Sequence, residues 1–228
     1  MIRRCLPLAS FLCISIFFFF GLFASSIKRR DFQIWNYNSI QGTLNTRLDL
    51  YFETEFRWRD NATLLYYNHV HIELPIHLFP FLDIGPSYRQ LWVRNLDTVS
   101  SHTWSPQYEP NLNLTFFWHF YKLYFSDRSR VTYRMFPGHL PNVWQYRNKL
   151  AIYTDGAKMP LKLRFFIDDE IFIEQKQRGI YENRFSSGIN FSFFRKIKAD
   201  IAYRRQTVRD NNIWHNNDIL MLNLNAFF

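Results

Sequence analysis

The sequence predicts an antiparallel transmembrane β-barrel of an outer membrane, and three observations predict it. Polar and apolar residues alternate along almost the whole chain after residue 31, which is typical of strands with two different faces. Aromatic residues make up 20% of the chain, yet its mean hydropathy of −0.27 is slightly polar. The chain also starts with an apolar run that has the form of an export signal. A membrane barrel combines these features because lipid-facing and lumen-facing positions alternate along each strand.

Residues 1–26 have the residue order of a secretory signal peptide. Two arginines precede an apolar run at 6–23, and small residues follow it, so we expect cleavage after Ala24 or Ser26. The alternative is an uncleaved N-terminal anchor helix, because the apolar run is long and three basic residues follow it. Both cysteines lie inside this segment, so we expect no disulfide in the exported chain.

Ten strands can be placed after residue 43, separated by segments rich in turn-forming residues. The clearest is Leu44–Trp58, in which Leu, Phe and Trp share one face and most charged residues share the other. Most of these runs are long enough for the roughly 9 to 11 residues that a tilted strand needs to cross a bilayer. The predicted strands cover residues 44–58, 64–76, 82–92, 104–118, 123–135, 143–152, 161–173, 181–193, 197–204 and 214–228.

An even number of strands puts both chain ends on the periplasmic side, as in single-chain bacterial barrels. Residues 27–43 would then form a lead segment or an extra strand before the barrel domain at 44–228. Because an eleventh strand breaks the even count, a barrel of twelve strands is the alternative. Six tryptophans fall at predicted strand ends, as in the aromatic girdles of such barrels. They are Trp58, Trp92, Trp104, Trp144 and Trp214 on the outward side and Trp118 on the periplasmic side.

The alternation has four polar exceptions on the apolar face, Asn148, Asp169, Asn183 and Asp218. At the middle of a lipid-facing surface, a basic residue costs about 2 to 4 kcal/mol and an acidic residue less. We therefore expect either local bulges or positions near a bilayer interface. A soluble β-sandwich or lipocalin-like barrel is the structural rival, but its apolar face would point inward.

The opposite face carries a nearly balanced set of acids and bases, which we expect to fill a narrow lumen as a salt-bridged polar core. Its predicted members are Arg47, Asp49, Glu53, Glu55, Arg57, His69, His71, Glu73, Arg128, Arg130, Arg134, Arg147, Lys149, Lys162, Arg164, Asp168, Glu170, Glu174, Glu182 and Arg184. His69, His71 and Glu73 stand at alternate positions of one strand and are the candidate catalytic residues, since such a trio can supply a general base. The same spacing suits a metal ion only weakly, so we expect no metal and no cofactor.

The leading functional hypothesis is a non-enzymatic outer-membrane barrel with a structural, adhesive or narrow-pore role. The alternatives are a barrel-embedded lipid-modifying hydrolase that uses His69 or His71, and a soluble periplasmic binding barrel. The formal net charge of +9 does not indicate a nucleic-acid partner, because the basic residues are not clustered on one face. The expected partners are outer-membrane lipids and the barrel assembly machinery, which recognises a C-terminal aromatic residue such as Phe228.

Four short motifs carry a resemblance to a known family. They are DRSRVTYR at 127–134, YRNKL at 146–150, FFIDDEIFI at 165–173 and ENRFSSGI at 182–189. Together they resemble an uncharacterised bacterial family, the domain of unknown function 2490, over about residues 32–228. The resemblance implies an exported, barrel-like outer-membrane protein and supplies no activity.

Overall fold

The computed structural model describes residues 28–94, 103–138, 140–157, 159–177, 179–210 and 213–228. The predicted signal peptide and the predicted outward loop at 95–102 lie outside the described residues. Within those ranges, no helix is long and apolar enough to cross a bilayer.

The described residues form one sheet of twelve strands. The strands are β1 (Lys28–Asn45), β2 (Leu48–Arg59), β3 (Leu64–Glu73), β4 (Ile76–Phe79), β5 (Leu82–Arg94), β6 (Trp104–Phe120), β7 (Leu123–Arg134), β8 (Val143–Thr154), β9 (Arg164–Glu174), β10 (Gly179–Phe194), β11 (Ile197–Asp210) and β12 (Ile213–Phe227). A short 3-10 turn at Pro160–Lys162 occupies the start of the strand predicted at 161–173, and Leu161 and Lys162 have positive φ angles there.

The sheet closes on itself into a barrel. β1 pairs with β2 in antiparallel fashion and with β12 in parallel fashion, and the parallel ladder runs from Asp31 beside Asn217 to Gln41 beside Phe227. All other neighbouring strands pair antiparallel. β4 continues the path of β3, since both strands pair with β5. The wall described by these residues therefore has eleven strands, with β4 as an additional short strand.

The expected even number of strands round the wall does not hold. The additional member of the wall is β1, which begins at Lys28, so the barrel starts earlier than the predicted boundary at residue 44. With an odd number of alternating strands, the first and last strands run in the same direction. A parallel β1–β12 pair can then close the sheet and leave no free edge, which removes the need for an even count.

The strand directions define two ends of the barrel. We call the end where β1 begins the N-terminal end, and the end where β12 finishes the C-terminal end. The C-terminal end has short connections at 46–47, 80–81, 121–122 and 195–196, together with a longer one at 155–163. Five of the six tryptophans named above lie at the N-terminal end, and Trp118 lies near the C-terminal end, as the alternation predicts.

The outer face of the barrel is apolar and its interior is polar. Large hydrophobic side chains on every side of the wall are exposed, such as Phe52, Ile72, Leu112, Ile167 and Ile201. The buried side chains are mostly polar or charged, and they include eleven of the predicted lumenal residues. These eleven are Asp49, Glu55, Arg57, His69, His71, Glu73, Arg130, Asp168, Glu170, Glu182 and Arg184. The closed strands thus present one apolar surface to the outside and enclose a charged lumen.

The four polar exceptions on the outer face are accommodated by hydrogen bonds across neighbouring strands. Asn148 Nδ2 donates to Asp127 Oδ1 at 2.6 Å, and Asn183 Nδ2 donates to Asp169 Oδ1 at 2.8 Å. The hydroxyl of Tyr203 donates to Asp218. The strand register runs through these pairs without interruption, so pairing rather than a bulge satisfies them.

Candidate functional site

The predicted residue His69 lies in the lumen between two carboxylates. β2 and β3 place Glu55 directly opposite His69, so their side chains meet inside the barrel. His69 Nδ1 lies 3.0 Å from Glu55 Oε2, and Nε2 lies 3.0 Å from Glu53 Oε1. The Tyr67 hydroxyl is 2.9 Å from the same Nδ1. Both ring nitrogens are therefore engaged by protein groups, and the ring is only 2% exposed.

His71 and Glu73 share the lumenal face of β3 with His69 but hold different partners. His71 Nε2 lies 3.9 Å from Glu73 Oε2, beyond hydrogen-bonding distance. This nitrogen is buried and has no hydrogen-bond partner among the described residues. Glu73 instead forms an ion pair with Arg128, and its carboxylate lies over Gly85, where a Cβ would collide with it. The three candidates share one lumenal face, and the Glu73 carboxylate pairs with Arg128 and makes no hydrogen bond to His71.

A metal ion does not match this arrangement. Among the residues that the structure describes, no group of three or more His, Cys, Asp or Glu side chains is placed to hold one. His69 already has a partner at each nitrogen, and the sites that bind zinc require an imidazole nitrogen directed at the ion.

Aromatic rings and arginines fill the lumen beside His69. The Arg57 guanidinium lies 3.8 Å from the ring centre of Trp35 and 4.0 Å from that of Tyr67, so it is held between two aromatic faces. Arg184 lies 4.9 Å from Trp35 and 4.3 Å from Phe172. Stacking of this kind stabilises a desolvated guanidinium by about 2 kcal/mol. Trp35 itself is fully buried. We call Trp35, Arg57, Tyr67, Phe172 and Arg184 the Trp35 cluster.

Two fully buried glutamates tie the lumenal arginines together. Glu109 forms ion pairs with Arg89 and with Arg134, the latter at 2.6 Å. Glu170 forms ion pairs with Arg147 and, at 3.7 Å, with Arg184. Buried carboxylates shared between two arginines fix several strands relative to one another.

Sequence reasoning missed some lumenal residues and misplaced others. Arg89, Glu109 and Arg204 face the lumen in predicted strands, and the alternation alone would have identified them. Trp35 was outside the predicted barrel domain at 44–228, because residues 27–43 were predicted as a lead segment or an extra strand; the structure has the extra strand. Arg47 and Lys162 are exposed in connections at the C-terminal end instead of lining the lumen, because each lies just outside a strand.

Two cavities occupy the lumen. The first, of about 220 Å³, is lined by the His69 site and by basic residues of β7 and β8. The second, of about 310 Å³, lies toward the C-terminal end, where its lining includes His77 and Asp83. Tyr51, Arg128 and Lys149 line both cavities. The two cavities are therefore neighbours along the barrel, separated by these shared side chains.

Comparison with known proteins identifies the family. No curated protein matches the chain. Among solved structures, the NanC porin in a rhombohedral crystal form is similar, with a TM-score of 0.46 and 10% sequence identity, over 74% of this chain and 85% of that chain. A family model described as protein of unknown function (DUF2490) matches residues 32–217, which carry all four motifs that suggested this family. The chain therefore belongs to the DUF2490 family.

Proposed function

We propose that the protein is an outer-membrane β-barrel with its outer face against lipid and its lumen filled by side chains. The observation that carries this proposal is the distribution of polarity across the wall. Exposed side chains such as Phe52, Ile72 and Ile201 form an apolar surface, while charged side chains are buried inside. In water this apolar surface would be exposed at a cost in free energy, whereas a bilayer would cover it.

The two ends support an orientation with the C-terminal end in the periplasm. Outer-membrane barrels have short periplasmic turns and longer outer loops, and four of the five connections at the C-terminal end are two residues long. Phe228 lies at this end with its side chain exposed, and we propose that the barrel assembly machinery recognises it there. In this orientation, with an odd number of strands, β1 would begin at the outer surface.

We infer a structural or surface-presenting role in preference to an open pore. The Trp35 cluster occupies the lumen, and its arginines are fixed by stacking and by ion pairs such as that of Arg57 with Glu55. Ions would have to displace these buried, mutually paired groups in order to pass. A barrel of eleven strands is also expected to have a narrow interior, which further hinders the passage of ions.

The geometry favours this proposal over the two alternatives. A lipid hydrolase needs an imidazole nitrogen that can take a proton from a nucleophile. Both nitrogens of His69 are held by other side chains, and the unpaired Nε2 of His71 is buried inside the barrel. A soluble binding barrel would bury its apolar face, whereas this barrel buries charged residues such as Glu109 and Glu170.

Membrane fractionation combined with gel mobility tests the proposal. We expect the expressed protein in the outer-membrane fraction, with a band whose mobility changes on heating because the folded barrel resists detergent. In planar bilayers the purified protein should give no stable conductance steps. Recovery in the soluble periplasm would contradict the membrane assignment, and steady channel openings would contradict the closed lumen.

A further inference from the structure

Four basic side chains face one another across β7 and β8. In the register of this pair, Arg128 lies directly opposite Lys149, and Arg130 lies directly opposite Arg147. All four side chains line the cavity of about 220 Å³. Like charges placed directly opposite each other across strands are destabilising, so this arrangement, the cation square, requires compensating negative charge.

The carboxylates near the cation square compensate it only in part. Arg128 pairs with Glu73 and Arg147 pairs with Glu170, and Lys149 Nζ lies 3.3 Å from Asp168 Oδ2. Glu73 lies on β3, whereas Glu170 and Asp168 both lie on β9.

Arg130 is the exception within the square. Its Nε donates to the neutral Asn113 Oδ1 at 2.6 Å, and no carboxylate of the described residues lies within 4.0 Å of its guanidinium. Arg130 is only 6% exposed, and the arginines Arg89, Arg128 and Arg147 line the same cavity. A buried guanidinium without a counter-charge is costly, which makes it a strong position for an incoming anion.

The cavity supplies the space and a further free donor. Basic side chains far outnumber acidic ones in its lining. Arg128 Nε is buried and has no hydrogen-bond partner among the described residues. At roughly 30 Å³ for each water molecule, the cavity holds about seven waters, which suits one small anion with part of its hydration shell.

An anion can reach the cation square from the C-terminal end of the barrel. The second cavity reaches residues near that end, such as His77 and Asp83, and it shares Arg128 and Lys149 with the first cavity. On the other side lies the Trp35 cluster, which closes the lumen under the proposed function. An anion would therefore enter and leave by one end only.

We propose that the cation square binds one small oxyanion, a carboxylate or a phosphate, inside the barrel. The planar donor forks of Arg128, Arg130 and Arg147 match the paired oxygens of these groups. This inference goes beyond the proposed function, because it depends on the lumen and not on what surrounds the barrel.

Titration calorimetry with the folded full-length protein tests the site. Inorganic phosphate and acetate are titrated separately at a constant ionic strength set with sodium chloride. We expect one saturable site for at least one of the two anions; binding of phosphate alone indicates a phosphate ligand, and binding of acetate alone indicates a carboxylate. No saturable binding of either anion would overturn the proposal.

Substitutions locate the site. Arg130→Gln should weaken anion binding at least ten-fold. Arg134 is a lumenal arginine of the same strand that lies outside the cavity, so Arg134→Gln should leave the affinity within two-fold of the unaltered protein.

The Arg130→Gln variant also tests the cost of the unpaired charge. In buffer without either anion, Arg130→Gln should unfold at a higher denaturant concentration than the unaltered protein, because it removes an uncompensated charge. Lys149→Gln serves as the second variant if Arg130→Gln does not fold. Equal affinity in the square variants and in Arg134→Gln would overturn the site, whereas a lost heat-modifiable band in the unaltered protein would contradict only the membrane proposal.

Discussion

Ile72 provides a direct energetic test of whether the outer face contacts lipid. It lies in the middle of the path of β3 and β4, opposite Phe52 on one side and Tyr88 on the other, and it is 45% exposed. If this surface faced water, Ile72→Arg would change the free energy of unfolding by about 0.5 kcal/mol, as is usual for surface substitutions. At the middle of a bilayer, the same change costs about 2 to 4 kcal/mol.

Ile213 is the matched control for this substitution. It is 42% exposed, nearly the same as Ile72, but it is the first residue of β12 at the N-terminal end. Near a bilayer interface an arginine costs only about 0 to 1 kcal/mol. We therefore expect Ile72→Arg to be less stable than Ile213→Arg by about 2 kcal/mol.

The assay is reversible urea unfolding of each variant in phospholipid vesicles, followed by tryptophan fluorescence. The slope of the free energy against urea concentration should stay the same in both variants, so that the midpoints report stability. Equal losses in the two variants would refute the reasoning, because depth along the barrel would then have no effect.

Two further predictions concern the filled lumen. Glu170→Gln leaves Arg147 and Arg184 without their shared carboxylate, so urea unfolding in vesicles should show a loss of about 3 to 5 kcal/mol, and a loss below about 1 kcal/mol would mean that the pairs are solvated. Trp35→Ala removes a fully buried ring and should cost about 3 to 5 kcal/mol in the same titration. The Trp35→Ala barrel should also conduct ions in planar bilayers, whereas the unaltered barrel should not. If the variant shows no conductance either, residues other than Trp35 close the lumen.

The alternation of residue types predicts most of the wall because it is local. Each run such as Leu44–Trp58 must place its apolar side chains on one face, and the structure has a strand in all ten predicted positions. Whether β1 belongs to the barrel wall depends on the whole sheet. Its place beside both β2 and β12 depends on how the ends of the chain meet, and no residue of 28–45 specifies a parallel partner.

The sequence predicts which residues occupy the lumenal site, but it does not predict which of their side chains contact each other. The spacing of His69, His71 and Glu73 puts them on one face, as the structure has them. Their partners come from β2 and β7, and the choice of Arg128 for Glu73 depends on how the strands stagger across the lumen. Trp35 shows the same limit, because two of its three arginine neighbours, Arg184 and Arg204, come from β10 and β11 near the other end of the chain.

The central claim is that the outer face contacts lipid, and spin-label accessibility tests it most directly. The two native cysteines lie within 1–26, so single cysteines at Phe52, Ile72 and Ile201 can be labelled in the chain that follows. In vesicles these labels should collide readily with oxygen and little with a water-soluble nickel chelate, whereas a label at His77, beside the cavity at the C-terminal end, should show the reverse. Strong nickel collisions at the three outer positions would contradict the account.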